Sequence, residues 1–330
     1  MPVEAPRTER VAVTGAAGLL GRVVCDRLRE TGNLARAADL AFERSVAGDL
    51  GRVAGNLLDP AHCRELCAGA TTLIHAAAVQ YPAGPPRWDR DRFFDANVAM
   101  TGNVTKAAVE AGVGHVVLIS SDMVYGLPRG RPMRESDPPL PIGPYGRSKL
   151  ACEGLVLALR ERGLTATVLR PRLIVGAGRL GVLKRLFDRI RTHRAVPIIG
   201  NGSNRYQMIA TSDVADACLR AVERRADGVF NLGSDDPPTV YQLLDELRLR
   251  AHSRSALARL PASVVVAGLG LLDLFRVAPL APEQFRIAPV DYVLDTTAAK
   301  AALGWRPGLT DAEALWQAYR SYLASIGTPA

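Results

Sequence analysis

Residues 13–21 read VTGAAGLLG, with glycines at 15, 18 and 21. The stretch ends the apolar run RVAVTG (10–15) and opens the amphipathic segment LLGRVVCDRLRETG (19–32), so it joins a strand to a helix. Glycines at that spacing permit a tight turn and let the backbone approach a pyrophosphate seated on the helix N-terminus. A bare glycine triplet is weak evidence, and a glycine-rich turn beside a solvated acid is the plain alternative. The stronger signal is Asp39, which closes a second strand, NLARAADL (33–40), 18 residues beyond Gly21. An acid at that distance accepts hydrogen bonds from an adenosine ribose. It repels a 2′-phosphate, which favours NAD over NADP.

Outward from this loop the alternation continues. GRVAGNLLDP (51–60) reads as a third strand with its turn, TTLIHAAA (71–78) as a fourth, HVVLISS (115–121) as a fifth and LTATVLRP (164–171) as a sixth. DANVAMTGNVTKAAVEAGV (95–113) and GPYGRSKLACEGLVLALRERG (143–163) are helices between them. Repeated strand and helix predict an α/β fold: a Rossmann-type doubly wound parallel sheet with helices on both faces. After about residue 172 the pattern loosens, with proline and glycine near 196–202, 237–238 and 279–289 and helical segments at 180–194, 211–226, 239–251 and 310–325. The expected division is an NAD-binding domain over 1–172 and a smaller, mostly helical substrate-binding cap over 173–330. Part of the latter, about 210–235 with the strand FNLGSD (230–235), is expected to rejoin the first domain.

Hydrophobic residues make up 48% and charged residues 22% of the 330, ordinary values for a soluble globular protein. The longest apolar stretch, PASVVVAGLGLLDLF (261–275), contains Asp273 and is too short to span a bilayer. It is expected to be a core helix of the cap. MPVEAPRTER carries no apolar core of a signal peptide, so the expected compartment is the cytoplasm. Of five cysteines only Cys63 and Cys67 are close, without CxxC spacing, which reads as buried free thiols and no metal site. The net charge of +8 comes from arginine, lysine occurring only four times. The basic residues are scattered rather than clustered with aromatics, which argues against nucleic acid and leaves attraction of an anionic cofactor.

A second signal is PYGRSKL (144–150). Tyr145 and Lys149 are four apart and share a helix face. A nearby ammonium and an oxidised nicotinamide favour the phenolate, so the tyrosine is expected to have a lowered pKa and to exchange a proton near neutral pH. A YxxxK pair alone is common; this one lies 24 residues after Ser121, on the next helix after the fifth strand.

With HAAA (75–78), Asn97 in DANVAMTGN, ISSDMVYG (119–126), LRPRLIVGAG (169–178), TSDVADA (211–217) and LDTTAAKAALGWRP (294–307), these motifs run in order along nearly the whole chain. Together they resemble the extended short-chain dehydrogenase/reductase family, the NAD-dependent epimerase/dehydratases, and some features resemble 3β-hydroxysteroid dehydrogenases. The resemblance implies a Rossmann fold and a catalytic set of Ser121, Tyr145 and Lys149. It implies a dinucleotide site along Gly15, Ala17, Gly18, Leu19 and Leu20, continued by Asp39 and Leu40, by Asn56 and Leu57, and by Ala76, Ala77 and Ala78. Asn97, Pro171, Tyr145 and Lys149 complete it. Asn56 stands where many relatives carry an aspartate near the adenine, and Asn97 is expected to hold a helix in place. Substrate contacts are implied for Ser121, Asp122, Met123, Tyr145, Arg172, Leu173, Arg205 and Tyr206. A homodimer through the helices at about 91–112 and 144–162, and a bacterial source, are further expectations.

Three positions bear on the reaction. Dehydratases of the family follow the hydroxyl residue with Asp-Glu, whereas here Met123 follows Asp122, and a thioether abstracts no proton. Leu173 stands where sugar-nucleotide enzymes place an asparagine near the diphosphate. Tyr206 stands where such relatives place an arginine seven before the Asp of DVA (Asp213), although Arg205 is adjacent. GNGSN (200–204) resembles the loop of sterol-type dehydrogenases, and on that resemblance 261–275 has a second reading as an apolar lid or surface contact. The expected activity is therefore hydride transfer between NAD and a secondary alcohol or ketone of a small organic substrate, steroid-like or from secondary metabolism. The alternatives are a sugar-nucleotide 4-epimerase or 4-ketoreductase, with Arg172, Arg179 or Arg205 serving the diphosphate, and a non-catalytic dinucleotide sensor.

Overall fold

A computed structural model describes residues 9–42, 51–80, 90–178, 180–181, 183–275 and 277–328. The chain runs β1 (Val11–Thr14), α1 (Leu19–Glu30), β2 (Leu34–Asp39), β3 (Arg52–Ala54), α2 (Pro60–Cys67), β4 (Thr72–His75), α3 (Arg90–Glu110) and β5 (His115–Ile119). It continues with α4 (Pro144–Leu157), β6 (Thr165–Pro171), β7 (Leu173–Val175), α5 (Leu183–Arg191), β8 (Val196–Ile199), β9 (Met208–Ala210), α6 (Thr211–Glu223) and β10 (Gly228–Leu232). The remainder is α7 (Val240–Arg250), β11 (Leu257–Leu260), α8 (Ala262–Leu274), α9 (Pro282–Phe285), α10 (Thr297–Leu303) and α11 (Asp311–Ser325).

Seven strands form one parallel sheet in the order β10-β6-β5-β4-β1-β2-β3. Every residue of β1, β4 and β5 is buried, which is why these strands read as continuous apolar runs: helices cover both faces. On one face α1, α6 and α10 pack with Trp305, whose indole N–H donates to the Asp213 carbonyl at 2.8 Å. On the other, residues of α2, α3 and α4 close over β4, β5 and β6. The strand order reverses between β1 and β4, and the crevice beyond their carboxyl ends is the place where such sheets bind ligands.

The later chain is built around Phe187, Tyr319 and Tyr322, which join α5 to α11. Thr239 with Gln242 and Thr310 with Glu313 form capping boxes that start α7 and α11 at the positions their sequences predict. β10 pairs with β6 at the sheet edge, and the small pairs β7-β9 and β8-β11 lie outside the main sheet.

The expectation of a core helix at 261–275 is overturned. No residue of α8 is buried, and Leu271, Leu274 and Phe275 are 61%, 80% and 70% exposed. Apolar composition marks surface that gains by burial, but the described chain covers α8 only in part. α8 instead flanks an open groove of about 410 Å³, lined by Leu127, Ala262, Ser263, Val266, Arg286 and Pro289. Among the described residues no helix is long and apolar enough to cross a membrane.

The glycine loop is held by backbone packing. Gly15 sits at φ +69°, and a methyl on it would come within 2.8 Å of the Ala77 nitrogen; one on Gly21 would overlap the Gly15 carbonyl oxygen. Gly21→Ala is therefore expected to push α1 off the loop and destabilise the protein by about 1–3 kcal/mol, the usual range for overpacking. Denaturant titration checks this, and an unchanged midpoint would refute the contact.

Candidate active site

The loop between β1 and α1 fits a dinucleotide pyrophosphate. α1 begins at Gly18 with no side-chain cap, so no side chain of its own occupies the first-turn N–H groups. Asp39 ties this loop to the end of β2: its Oδ2 accepts from Ala17 N at 2.9 Å and its Oδ1 from Leu40 N at 2.7 Å. Each carboxylate oxygen, having accepted one hydrogen bond, retains a further lone pair. Asn56 lies exposed in the turn after β3, its Oδ1 accepting from Leu58 N, and Gly55 N donates to the Asp39 carbonyl at 2.9 Å, so the two acceptors sit side by side.

Across the switch point, Thr14 Oγ1 accepts from the N–H groups of Ala76 and Ala77, both at 3.1 Å. Its proton then goes to His75 Nδ1 at 2.7 Å, which leaves His75 Nε2–H to donate to Thr101 Oγ1 at 3.0 Å. Burial first, and Lys149 second, lower the His75 pKa to about 3, so the ring stays neutral. Asn97, 2% exposed, accepts from Val79 N at 2.7 Å and donates to Ser148 Oγ at 3.0 Å, linking the turn after β4 to α4.

At the end of β5, Ser121 adopts extended backbone and caps a single 3₁₀ turn, Asp122–Val124. The Met123 carbonyl lies where a side chain at position 146 would stand, so Gly146 is what lets this turn pack onto α4 between Tyr145 and Lys149. Lys149 is 4% exposed, donates to the Ile119 carbonyl at 2.8 Å and lies 5.9 Å from the Tyr145 ring centroid. Burial lowers its pKa. The phenol of Tyr145 is raised by the protein groups around it, whereas the lowering expected above includes the charge of an oxidised nicotinamide. Enclosure acts first, the carboxylates of Glu283 and Asp122 add to it, and a hydrogen bond with Gln80 opposes it. The sequence shows Lys149 and places Asp122 beside Ser121, but not Glu283, which folds in from elsewhere.

Two buried ion pairs frame this centre. Arg170 holds Glu153 in two hydrogen bonds, 2.9 and 2.6 Å, and donates to Tyr125 Oη at 2.8 Å; Tyr125 donates on to Asn231 of β10. Glu153 also accepts from Ser120, which gives Ser120 a structural place and leaves Ser121 as the neighbour of Asp122. Arg172, 1% exposed, donates to Asp122 Oδ2 at 2.6 Å between the rings of Tyr206 and Tyr292.

The remaining candidates divide. Pro171 is buried at the end of β6, and Leu173 is partly buried in β7 opposite Met208. Arg205 is exposed and pairs with Asp291 at 3.6 Å. Arg179 lies outside the described residues. All five cysteines are buried and free, and burial pushes the thiols of Cys63 and Cys67 up to about 11 and about 12. Residues the sequence did not single out are Thr14, His75 and Thr101, and Glu283, whose carboxylate lies against Gly143 at the start of α4. HAAA contains His75, but only its partners 61 and 26 residues away reveal its place.

Residues 11–233 match the model of the NAD dependent epimerase/dehydratase family. The chain is 31% identical to a dTDP-6-deoxy-L-talose 4-dehydrogenase (NAD(P)(+)) of Kitasatospora kifunensis, over 95% of this chain and 97% of that one. It is 30% identical to a 2-alkyl-3-oxoalkanoate reductase of Stenotrophomonas maltophilia, over 72% and 74%. Among solved structures it resembles MoeE5 in complex with UDP-glucose and NAD, with a TM-score of 0.77 and 28% identity, over 96% and 99%.

With Tyr145 as the proton-exchanging group, oxidation of an alcohol needs its phenolate, and its rate rises as pH passes the tyrosine pKa. Glu283→Gln removes a charge that raises that pKa. The rising limb of the pH–rate profile for oxidation is expected to move to lower pH; a limb that stays put or moves up would remove Glu283 from the site.

Proposed function

The chain belongs to the NAD dependent epimerase/dehydratase family, and on that premise we propose that it is an NAD-dependent oxidoreductase acting on a secondary alcohol or ketone of a small organic substrate with little phosphate. Bound NAD supplies the hydride chemistry at the substrate carbon. Tyr145 gives or takes the proton at the substrate oxygen, Lys149 holds the ribose and supports the tyrosine, and Ser121 binds the same oxygen. Asp39 takes the adenosine ribose, and its charge selects NAD over NADP.

The observation that carries the substrate class is the burial of Arg172. A cation placed to serve a diphosphate is turned inward onto Asp122 and stacked between two tyrosines. Leu173 offers no hydrogen bond at the neighbouring position, and the exposed Arg205 is paired with Asp291. Met123, a thioether after Asp122, disfavours dehydration. The 2-alkyl-3-oxoalkanoate reductase relative supports a ketone with apolar substituents. The talose dehydrogenase and MoeE5 favour the second reading, a sugar-nucleotide 4-epimerase or 4-ketoreductase.

We assign residues 1–172 to NAD binding and 173–330 to the substrate, with about 210–235 counted in the first unit. A homodimer through the outer faces of α3 and α4 completes the reading.

Thermal shift separates the two substrate classes. NAD is expected to stabilise the protein, and UDP and dTDP are not; stabilisation by either free nucleoside diphosphate would overturn the preference. Tyr145→Phe is expected to reduce turnover by roughly 10²–10⁴-fold, the usual range for a lost acid–base group, while NAD binding is retained. Near-normal turnover in that variant would sink the assignment.

A further inference from the structure

The charges beside Ser121 decide which way its single proton points. Asp122 and Arg172 are 2% and 1% exposed, and Arg172 Nη1 donates to Asp122 Oδ2 at 2.6 Å. The guanidinium lies 4.1 Å from the ring centroid of Tyr206 and 4.2 Å from that of Tyr292. Tyr292 Oη donates to the Asp122 carbonyl at 2.9 Å. The carboxylate is thus pinned along one edge, and its other oxygen, Oδ1, faces Ser121 Oγ at 3.0 Å. An ion-paired carboxylate only accepts, so Ser121 donates to it. Met123 N–H donates to Ser121 Oγ at 3.2 Å. A serine oxygen has one proton and two lone pairs; with both neighbours satisfied, one lone pair is left for a ligand.

We propose that Asp122 is a positioning residue that holds Ser121 as a hydrogen-bond acceptor, so that the site engages the hydroxyl of an alcohol directly while Tyr145 is a phenol, and engages a carbonyl oxygen, or an alcohol whose proton passes to Tyr145, only after Ser121 turns its proton away. This rests on the reading that Ser121 meets the substrate oxygen. Asp122 gives no proton to the substrate. Arg172 carries only donors, which fixes the outcome of Asp122→Asn: the amide oxygen stays on Arg172 and the amide NH₂ turns to Ser121. Ser121 then accepts from Asn and points its proton at the ligand, and the preference inverts.

The test uses a shape-matched pair in the two combinations where no hydride moves: cyclohexanol with the NADH-saturated protein and cyclohexanone with the NAD-saturated protein. Dissociation constants come from NMR titration. Asp122→Asn is expected to tighten cyclohexanone and weaken cyclohexanol, each by about fivefold, the net worth of one hydrogen bond. Ser121→Ala is expected to weaken cyclohexanol by about fivefold and to change cyclohexanone by less than about twofold. Parallel weakening of both probes in Asp122→Asn would overturn the proposal while leaving the oxidoreductase reading intact. So would a larger loss of ketone than of alcohol in Ser121→Ala. If Asp122→Asn does not fold, because Arg172 is left as a buried unpaired charge, the Ser121→Ala arm decides alone. Failure of both probes to bind the wild-type protein removes the oxygen site itself, and this proposal with it.

Discussion

The turns that leave β1 and β4 touch, and much of the site depends on that contact. Gly15 has no side chain because the backbone of Ala76 and Ala77 lies against it. Thr14 and His75, the last residues of the two strands, tie the turns together, and His75 passes the connection to Thr101 on α3. Asn97, one turn earlier on α3, reaches Ser148, the neighbour of Lys149. The glycine loop and the helix of Tyr145 and Lys149 are therefore joined by one polar relay through the interior. A shift at either end has to be carried by the other, since buried hydrogen bonds are costly to break singly.

Arg170 lies near the end of β6 and Arg172 just beyond it. Both are buried and both are paired with acids, yet they do different things. Arg170 and Glu153 lock α4 to β6 and, through Tyr125 and Asn231, to β10. Arg172 and Asp122 lie beside Ser121. Desolvated charges gain little net stability, but they tolerate few geometries, so each pair fixes orientation more than it adds stability.

The sheet, the glycine loop and the Tyr-Lys pair were legible because each is written in local spacing: alternating apolar runs, a glycine triplet, two residues one helical turn apart. What escaped depends on closure over long separations. Glu283 meets Gly143 across the fold, Arg172 meets Asp122 and Tyr292, and no periodicity announces either. Around Tyr145 the same holds: its helical neighbour Lys149 was visible and the facing Glu283 was not. α8 failed differently. Its composition asks for burial, and a sequence cannot report that the cover is missing.

The edge strand β10 has a consequence for synthesis on the ribosome. β6 and its charged terminus emerge well before β10, with β7, α5, β8, β9 and α6 translated in between. Until β10 arrives, the nascent sheet carries an unpaired edge, and Tyr125, already held by Arg170, lacks its acceptor on Asn231. The sheet thus gains its last edge strand late, and a chain stalled before residue 228 lacks the partner of β6 and leaves a strand edge suited to pairing with other chains.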